Sequence, residues 1–274
     1  MNGYSEEHRA SRRTGSIGPA LFLILLLAPT PAAAQAPVDS ALAAYIAGIR
    51  AIDTHAHPMR PVPAGAPADT DFDALPLDGI PPFGFQHRLS LDDPVWRRAQ
   101  QALYRVPDAA NDSVYRGSLR GIASRVQAER SIRFPAWALD RAGVEVMLAN
   151  RVAMGPGLDA PRFRWVAFAD ALMLPLDTRA EARTPDMRVL YPKEAALLRR
   201  YLRDLDLTRL PATLDGYLRD VVVPTLDRMR AGGAVAVKFE AAYLRPLDFD
   251  DPDSALARRV YARYATAGSG APTH

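Results

Sequence analysis

The stretch Ala51-Ile52-Asp53-Thr54-His55-Ala56-His57-Pro58 decides how this chain is read. Its pattern is that of an extended strand ended by a proline. A period of two places Ala51, Asp53, His55 and His57 on one face, with Ile52 and Thr54 on the other. Two imidazoles at i and i+2 project to the same side, so both can converge on one cation. Neutral imidazole suits zinc, iron, nickel or copper, and manganese less strongly. Zinc is therefore the first expected ion, with manganese or iron as alternatives. The plainer reading, two polar residues capping a strand end near water, stays open beside it.

Downstream of Pro58 the chain is rich in proline, glycine and aspartate to about residue 82, which reads as a long loop. Residues 92–106, 113–129 and 135–141 have apolar positions at helical spacing, and Gly143 stops the third helix. Residues 59–134 thus form a loop and helical insertion, expected to cap the strand ends. From there strands and helices alternate. Val144 to Ala149 and Phe163 to Phe168 are apolar runs of strand length, and residues 192–205 and 214–230 read as helices, the second kinked at Pro224. Gly232-Gly233 lead into a fourth strand, Ala234 to Glu240, and a last helix covers 253–265. Upstream, residues 39–49 form a short helix. Alternation of this kind predicts βαβ units and a parallel sheet.

The fourth strand, Ala234-Val235-Ala236-Val237-Lys238-Phe239-Glu240, repeats the two-faced pattern. Val235, Val237 and Phe239 suit packing against helices, which leaves Ala234, Ala236, Lys238 and Glu240 facing inward. An inward lysine is costly unless it is neutral, paired or carboxylated on its nitrogen. Either a carboxylated Lys238 or Glu240 would serve as a metal ligand. An ion pair of Lys238 with Glu240 or with Asp53 is the structural alternative. Just past this strand, Arg245 is placed to meet a substrate anion.

Composition narrows the classes. The chain has 274 residues, 49% of them hydrophobic and 24% charged, in keeping with a globular protein. The absence of cysteine removes disulfides, thiolate zinc sites, iron–sulfur clusters and thiol nucleophiles. A net charge of +3 gives no reason to invoke nucleic acid. Only two of the 34 basic residues, Lys193 and Lys238, are lysines. At the front, Arg9, Arg12 and Arg13 precede the apolar run from Ala20 to Ala28, and Ala32-Ala33-Ala34 offers a cleavage site. The run falls well short of the roughly 20 residues that span a bilayer. Residues 1–34 therefore read as an export signal. The mature chain 35–274 is expected to be periplasmic or secreted, without stable membrane insertion.

Taken together, Ile52-Asp53-Thr54-His55-Ala56-His57-Pro58, Leu139-Asp140-Arg141-Ala142-Gly143-Val144, Phe163-Arg164-Trp165-Val166 and Val235-Ala236-Val237-Lys238-Phe239 resemble the amidohydrolase superfamily, in its amidohydrolase-related (type 2) branch. The resemblance covers residues 40 to about 265. It implies a (β/α)8 TIM-type barrel that uses one or two divalent metals to activate water against an amide, ester or related bond of a small-molecule substrate. Some members of the family decarboxylate or isomerise instead. By position, His55 and His57 correspond to the first-strand metal ligands, and Lys238 or Glu240 to the fourth-strand ligand.

The family also draws histidines from the fifth and sixth strands and an aspartate from the eighth. Only about four βα units are countable here, and four more would need on the order of 120 residues. Of the five histidines, His8 falls in the export signal, His87 reads as a solvated loop residue and His274 is terminal. The expectation is an incomplete, C-terminally truncated barrel with impaired turnover and open sheet edges through which copies could associate. The alternative is a non-catalytic exported metal-binding or interaction protein derived from such an enzyme. A phosphoesterase of the polymerase-and-histidinol-phosphatase type also opens with His-x-His, but its Ser-Asp-Gly continuation is missing. A membrane dipeptidase would carry His-x-Asp where His57 stands.

Overall fold

The computed structural model describes residues 39–63, 65–75, 93–109, 112–185 and 187–265. Residues 1–34, which read as an export signal, and His87 and His274 lie outside the described residues. The chain divides ahead of Gly48. In the first unit α1 (Ser40–Gly48) starts at Asp39, whose Oδ1 accepts from the amides of Ala41 at 2.9 Å and Leu42 at 3.2 Å.

The second unit is α/β. Its elements are β1 (Ala51–Ala56), α2 (Pro94–Tyr104), α3 (Asp112–Arg130), α4 (Phe134–Ala142), β2 (Val144–Arg151), β3 (Phe163–Phe168), α5 (Tyr191–Asp204), α6 (Leu214–Tyr217), α7 (Val223–Ala231), β4 (Ala234–Lys238) and α8 (Ser254–Tyr264). The four strands form one parallel sheet in the order β1-β2-β3-β4, as the alternation of strands and helices predicts. β1 and β4 are its edges. In a flat sheet they would stand roughly 14 Å apart, three strand spacings. Yet Lys238 Nζ on β4 lies 2.7 Å from His55 Nε2 on β1. The sheet is curled, and the side chains of its concave face meet across it.

Local chemistry sets the ends of the elements. Asp93 caps α2 by accepting from Val95 at 2.7 Å and Trp96 at 3.3 Å, and Pro94 opens the helix where its missing N–H costs nothing. α4 stops at Gly143, whose φ of 70° is left-handed. The Gly143 carbonyl then accepts from Ala51 at 2.9 Å, which seats β1 beside the start of β2. The kink expected at Pro224 takes the form of a π turn over Leu218–Val222, lodged between α6 and α7. The wider turn accommodates a residue that cannot donate to the helix ladder.

The main core lies where α5, α6, α7 and α8 pack with β3 and the chain after it. It includes Ala167, Phe168, Leu172, Leu198, Tyr201, Leu202, Tyr217, Val221, Met229 and Tyr261. Two buried phenols tie this core to the backbone. Tyr201 donates to the Phe168 carbonyl at 2.7 Å and Tyr217 to the Leu172 carbonyl at 2.8 Å. The outward face of β4 departs from expectation, because among the described residues no helix covers it and Val235, Val237 and Phe239 are exposed. α2 and α3 pack beside α4, with Tyr104 6.5 Å from Phe134 and 6.2 Å from Trp137 between ring centroids. Among the described residues, the loop that runs from Pro58 to residue 75 meets the strand ends through Pro58, Asp71 and Asp73. Among the described residues no helix is long and apolar enough to cross a membrane.

Candidate metal centre

His55 and His57 sit at the C-terminal end of β1, where the pairing with β2 skips a residue. Asp53 aligns with Met147 and Ala56 with Ala149, so β1 carries one extra residue between them. Such a bulge re-aims the side chains that follow it. Simple alternation therefore does not run from Asp53 to His57. The Asp53 carboxylate turns back to accept from the His55 amide at 3.1 Å.

The two rings do converge. His55 Nε2 and His57 Nε2 are 3.3 Å apart, with ring centroids 5.3 Å from each other. Lys238 Nζ lies 2.7 Å from the first nitrogen and 3.1 Å from the second. It also pairs with Glu240 Oε1 at 3.3 Å, which is the Glu240 alternative read from the sequence and not the Asp53 one. Beneath it, the Phe168 ring centroid is 5.4 Å from Nζ and 5.9 Å from the His57 ring centroid. A lysine cation thus occupies the point toward which both Nε2 atoms aim.

On the other side of the His57 ring is a second convergence. Nδ1 lies 3.3 Å from Asp73 Oδ1, and His57, Asp73 and Glu240 offer ligand atoms all within 4.8 Å of one another. His57 Nδ1 and Glu240 Oε2 are buried and, among the described residues, have no hydrogen-bond partner. Two ligands on a tetrahedral zinc at 2.0–2.1 Å stand about 3.4 Å apart, so the Nδ1–Oδ1 spacing fits a shared ion. One imidazole and two carboxylates also form a donor set that zinc, iron and manganese accept.

Asp73 was not singled out by the sequence reading. Its only signal is the alternation Asp69-Thr70-Asp71-Phe72-Asp73 within the loop after β1. Two further acids complete the electrostatics. Asp170, just past β3, accepts from the Glu240 amide at 2.6 Å and fixes the chain as it leaves β4. Glu194 on α5 is fully buried, and among the described residues neither of its oxygens has a hydrogen-bond partner. Burial pushes all three carboxyls up: Asp170 to about 6, Glu240 to about 7 with Asp73 adding to the effect, and Glu194 to about 8 with Asp170 and Glu240 adding. His55 is held below the ordinary imidazole value, first by burial and then by the charges of Lys238 and His57. A neutral imidazole is the form that gives a lone pair to a metal or to an ammonium N–H. Asp170 could have been found by applying to β3 the strand-end rule applied to β1. Glu194 shows itself as a charge on the stripe of Tyr191, Leu197, Leu198 and Tyr201.

Arg245 makes local contacts past the end of β4. Its guanidinium stacks 4.7 Å from the Phe249 ring centroid and donates to the Pro246 carbonyl at 3.1 Å. The structure therefore brings together His55, His57, Lys238 and Glu240, adds Asp73, and shows Arg245 in contact with Pro246 and Phe249. No family model matches the chain, and no curated protein or solved structure is significantly similar to it.

Proposed function

We propose that the chain is a metal-dependent hydrolase of the amidohydrolase type, acting on an amide, ester or related bond of a small molecule. The observation that carries this reading is the His57–Asp73–Glu240 convergence at the strand ends of a curled parallel sheet. In this reading the four strands are the first half of a (β/α)8 barrel, whose chemistry lies at the C-terminal strand ends. His57 Nδ1, Asp73 and Glu240 would hold the ion, zinc first and manganese or iron next. A divalent ion there would lower the pKa of a bound water toward ~7 and polarise a scissile carbonyl. The chain's own groups divide the remaining work. Lys238 Nζ, within hydrogen-bond distance of both Nε2 atoms, holds the His57 ring with Nδ1 toward Asp73, and ligation through Nδ1 requires the tautomer that carries its proton on Nε2. Glu240, whose carboxyl is raised to about 7 by burial, would give up its proton on binding the ion, so uptake at this site should depend on pH. His55, the exposed member of the cluster, marks the side from which a substrate enters.

A second reading, a metal-binding protein without turnover, draws support from Lys238. Its Nζ fills the space between the two Nε2 atoms, which keeps His55 from serving as a ligand and leaves an ion only the Nδ1 side of His57. One experiment separates the two. The purified chain is supplied with Zn2+ or Mn2+ and assayed on chromogenic amides and esters, with His57→Ala as control. Metal-dependent turnover lost in the variant supports the hydrolase. Metal uptake at His57 without turnover supports the binding protein, and no uptake contradicts both.

A further inference from the structure

Arg151 closes β2 and is fully buried. Its guanidinium holds Asp69 through two bonds, Nη1 to Oδ2 and Nη2 to Oδ1, each 3.0 Å. Nε donates to the Ala153 carbonyl at 2.9 Å, and Nη1 also donates to the Pro58 carbonyl. Asp69, equally buried, accepts in addition from the amides of Arg60 at 2.8 Å and Asp71 at 3.3 Å. Every one of these bonds ends on the loop between His57 and Asp73 or on the end of β2. Pro58 follows His57 directly, and Asp71 stands two residues before Asp73. Asp71 is held again from outside, its carbonyl by the Val152 amide at 2.9 Å and its carboxylate by Arg200 at 2.7 Å.

A buried ion pair is weak evidence of stabilisation, because desolvating both charges offsets their attraction. What this pair does supply is geometry. It ties together the two ends of a proline-rich loop whose sequence imposes no regular structure of its own. We propose that Arg151 and Asp69 are a positioning pair that sets His57 and Asp73 at ion-binding distance. This inference rests on the metal-centre reading above. Neither residue touches the ion or a substrate; both act through Pro58, Arg60 and Asp71.

The test replaces the pair by apolar side chains of similar length, Arg151→Met with Asp69→Leu, in the full chain. Such replacements of buried ion pairs usually preserve folding. Co2+ is the probe, because its visible absorption reports ligand geometry as well as occupancy. The expected result is a cooperative unfolding transition like that of the unaltered chain, Co2+ affinity reduced about 10–100-fold and a changed absorption band. Unaltered affinity and absorption would overturn the proposal. If the double variant does not fold, Asp69→Asn, which keeps one acceptor oxygen, is put through the same titration. If the unaltered chain takes up no Co2+, the metal reading fails on its own and hydrogen exchange decides the pair's role. Loss of protection confined to the amides of Arg60, Asp71 and Val152 in the variant supports positioning, and unchanged protection there overturns it.

Discussion

The central and edge strands of the sheet differ in what surrounds them. β2 and β3 end in buried residues, with Arg151, Ala167 and Phe168 at 0% exposure. β1 and β4 leave Ile52 62%, Val235 51% and Val237 43% exposed, yet His55, His57 and Lys238 come from these strands and the turn beside them. The fold is therefore held by the middle of the sheet and its helices, while the candidate chemistry sits on its margins. Loops do for the margins what burial does for the centre: Asp73 braces His57, Asp170 braces Glu240, and Arg151 ties the first loop to β2. Substitutions in the two regions should accordingly separate stability from metal binding.

The largest effect is expected at the centre. Phe168→Ala removes a fully buried ring and should lower stability by about 3–5 kcal/mol in a denaturant titration. A loss below 1 kcal/mol would break the contrast.

The pH profile of the metal-free chain comes next. Asp170, Glu240 and Glu194 have folded-state carboxyl values raised above the unfolded ones, so the folded state keeps protons that the unfolded chain has already released. Stability should then be highest on the acid side, near pH 4–5. It should fall as pH rises through the values of about 6, 7 and 8, with steps belonging to the cluster as a whole. Glu194→Gln should flatten the upper part of that decline. A profile that rises from pH 5 to pH 8 would show that these acids are not buried together.

Smaller effects follow. Tyr201→Phe leaves the Phe168 carbonyl without its 2.7 Å donor and should cost about 1 kcal/mol. At the margin, Val237→Ala should change stability by less than about 1 kcal/mol by the same measurement. A larger loss would mean that something covers this face in solution.

Much of this organisation was legible in the residues. β3 begins and ends where its apolar run does, because the same run is both extended and buried. The helices fall within a residue or two of their apolar spacing. β4 is shorter than its pattern, since Glu240 gives its amide to the Asp170 carboxylate and not to the ladder. The metal group was half legible. His57 and Glu240 stand at strand ends, where a rule of position finds them. Asp73 reaches His57 across a proline-rich loop that has no period to read, and only tertiary bonds through Asp69 and Asp71 bring it there. The bulge in β1 was invisible for a similar reason, since it is a property of the pairing with β2 and not of β1 alone. The bare face of β4 was misread because an apolar stripe records what a face needs, not whether a neighbour supplies it.

The central assignment is most directly tested by diffraction from crystals grown with Zn2+ and recorded on both sides of the zinc absorption edge. The proposed centre predicts one anomalous peak about 2.0–2.1 Å from a His57 ring nitrogen and about 2.0–2.2 Å from carboxylate oxygens of Asp73 and Glu240. A map with no peak at His57, and Lys238 still seated between the two rings, would contradict it.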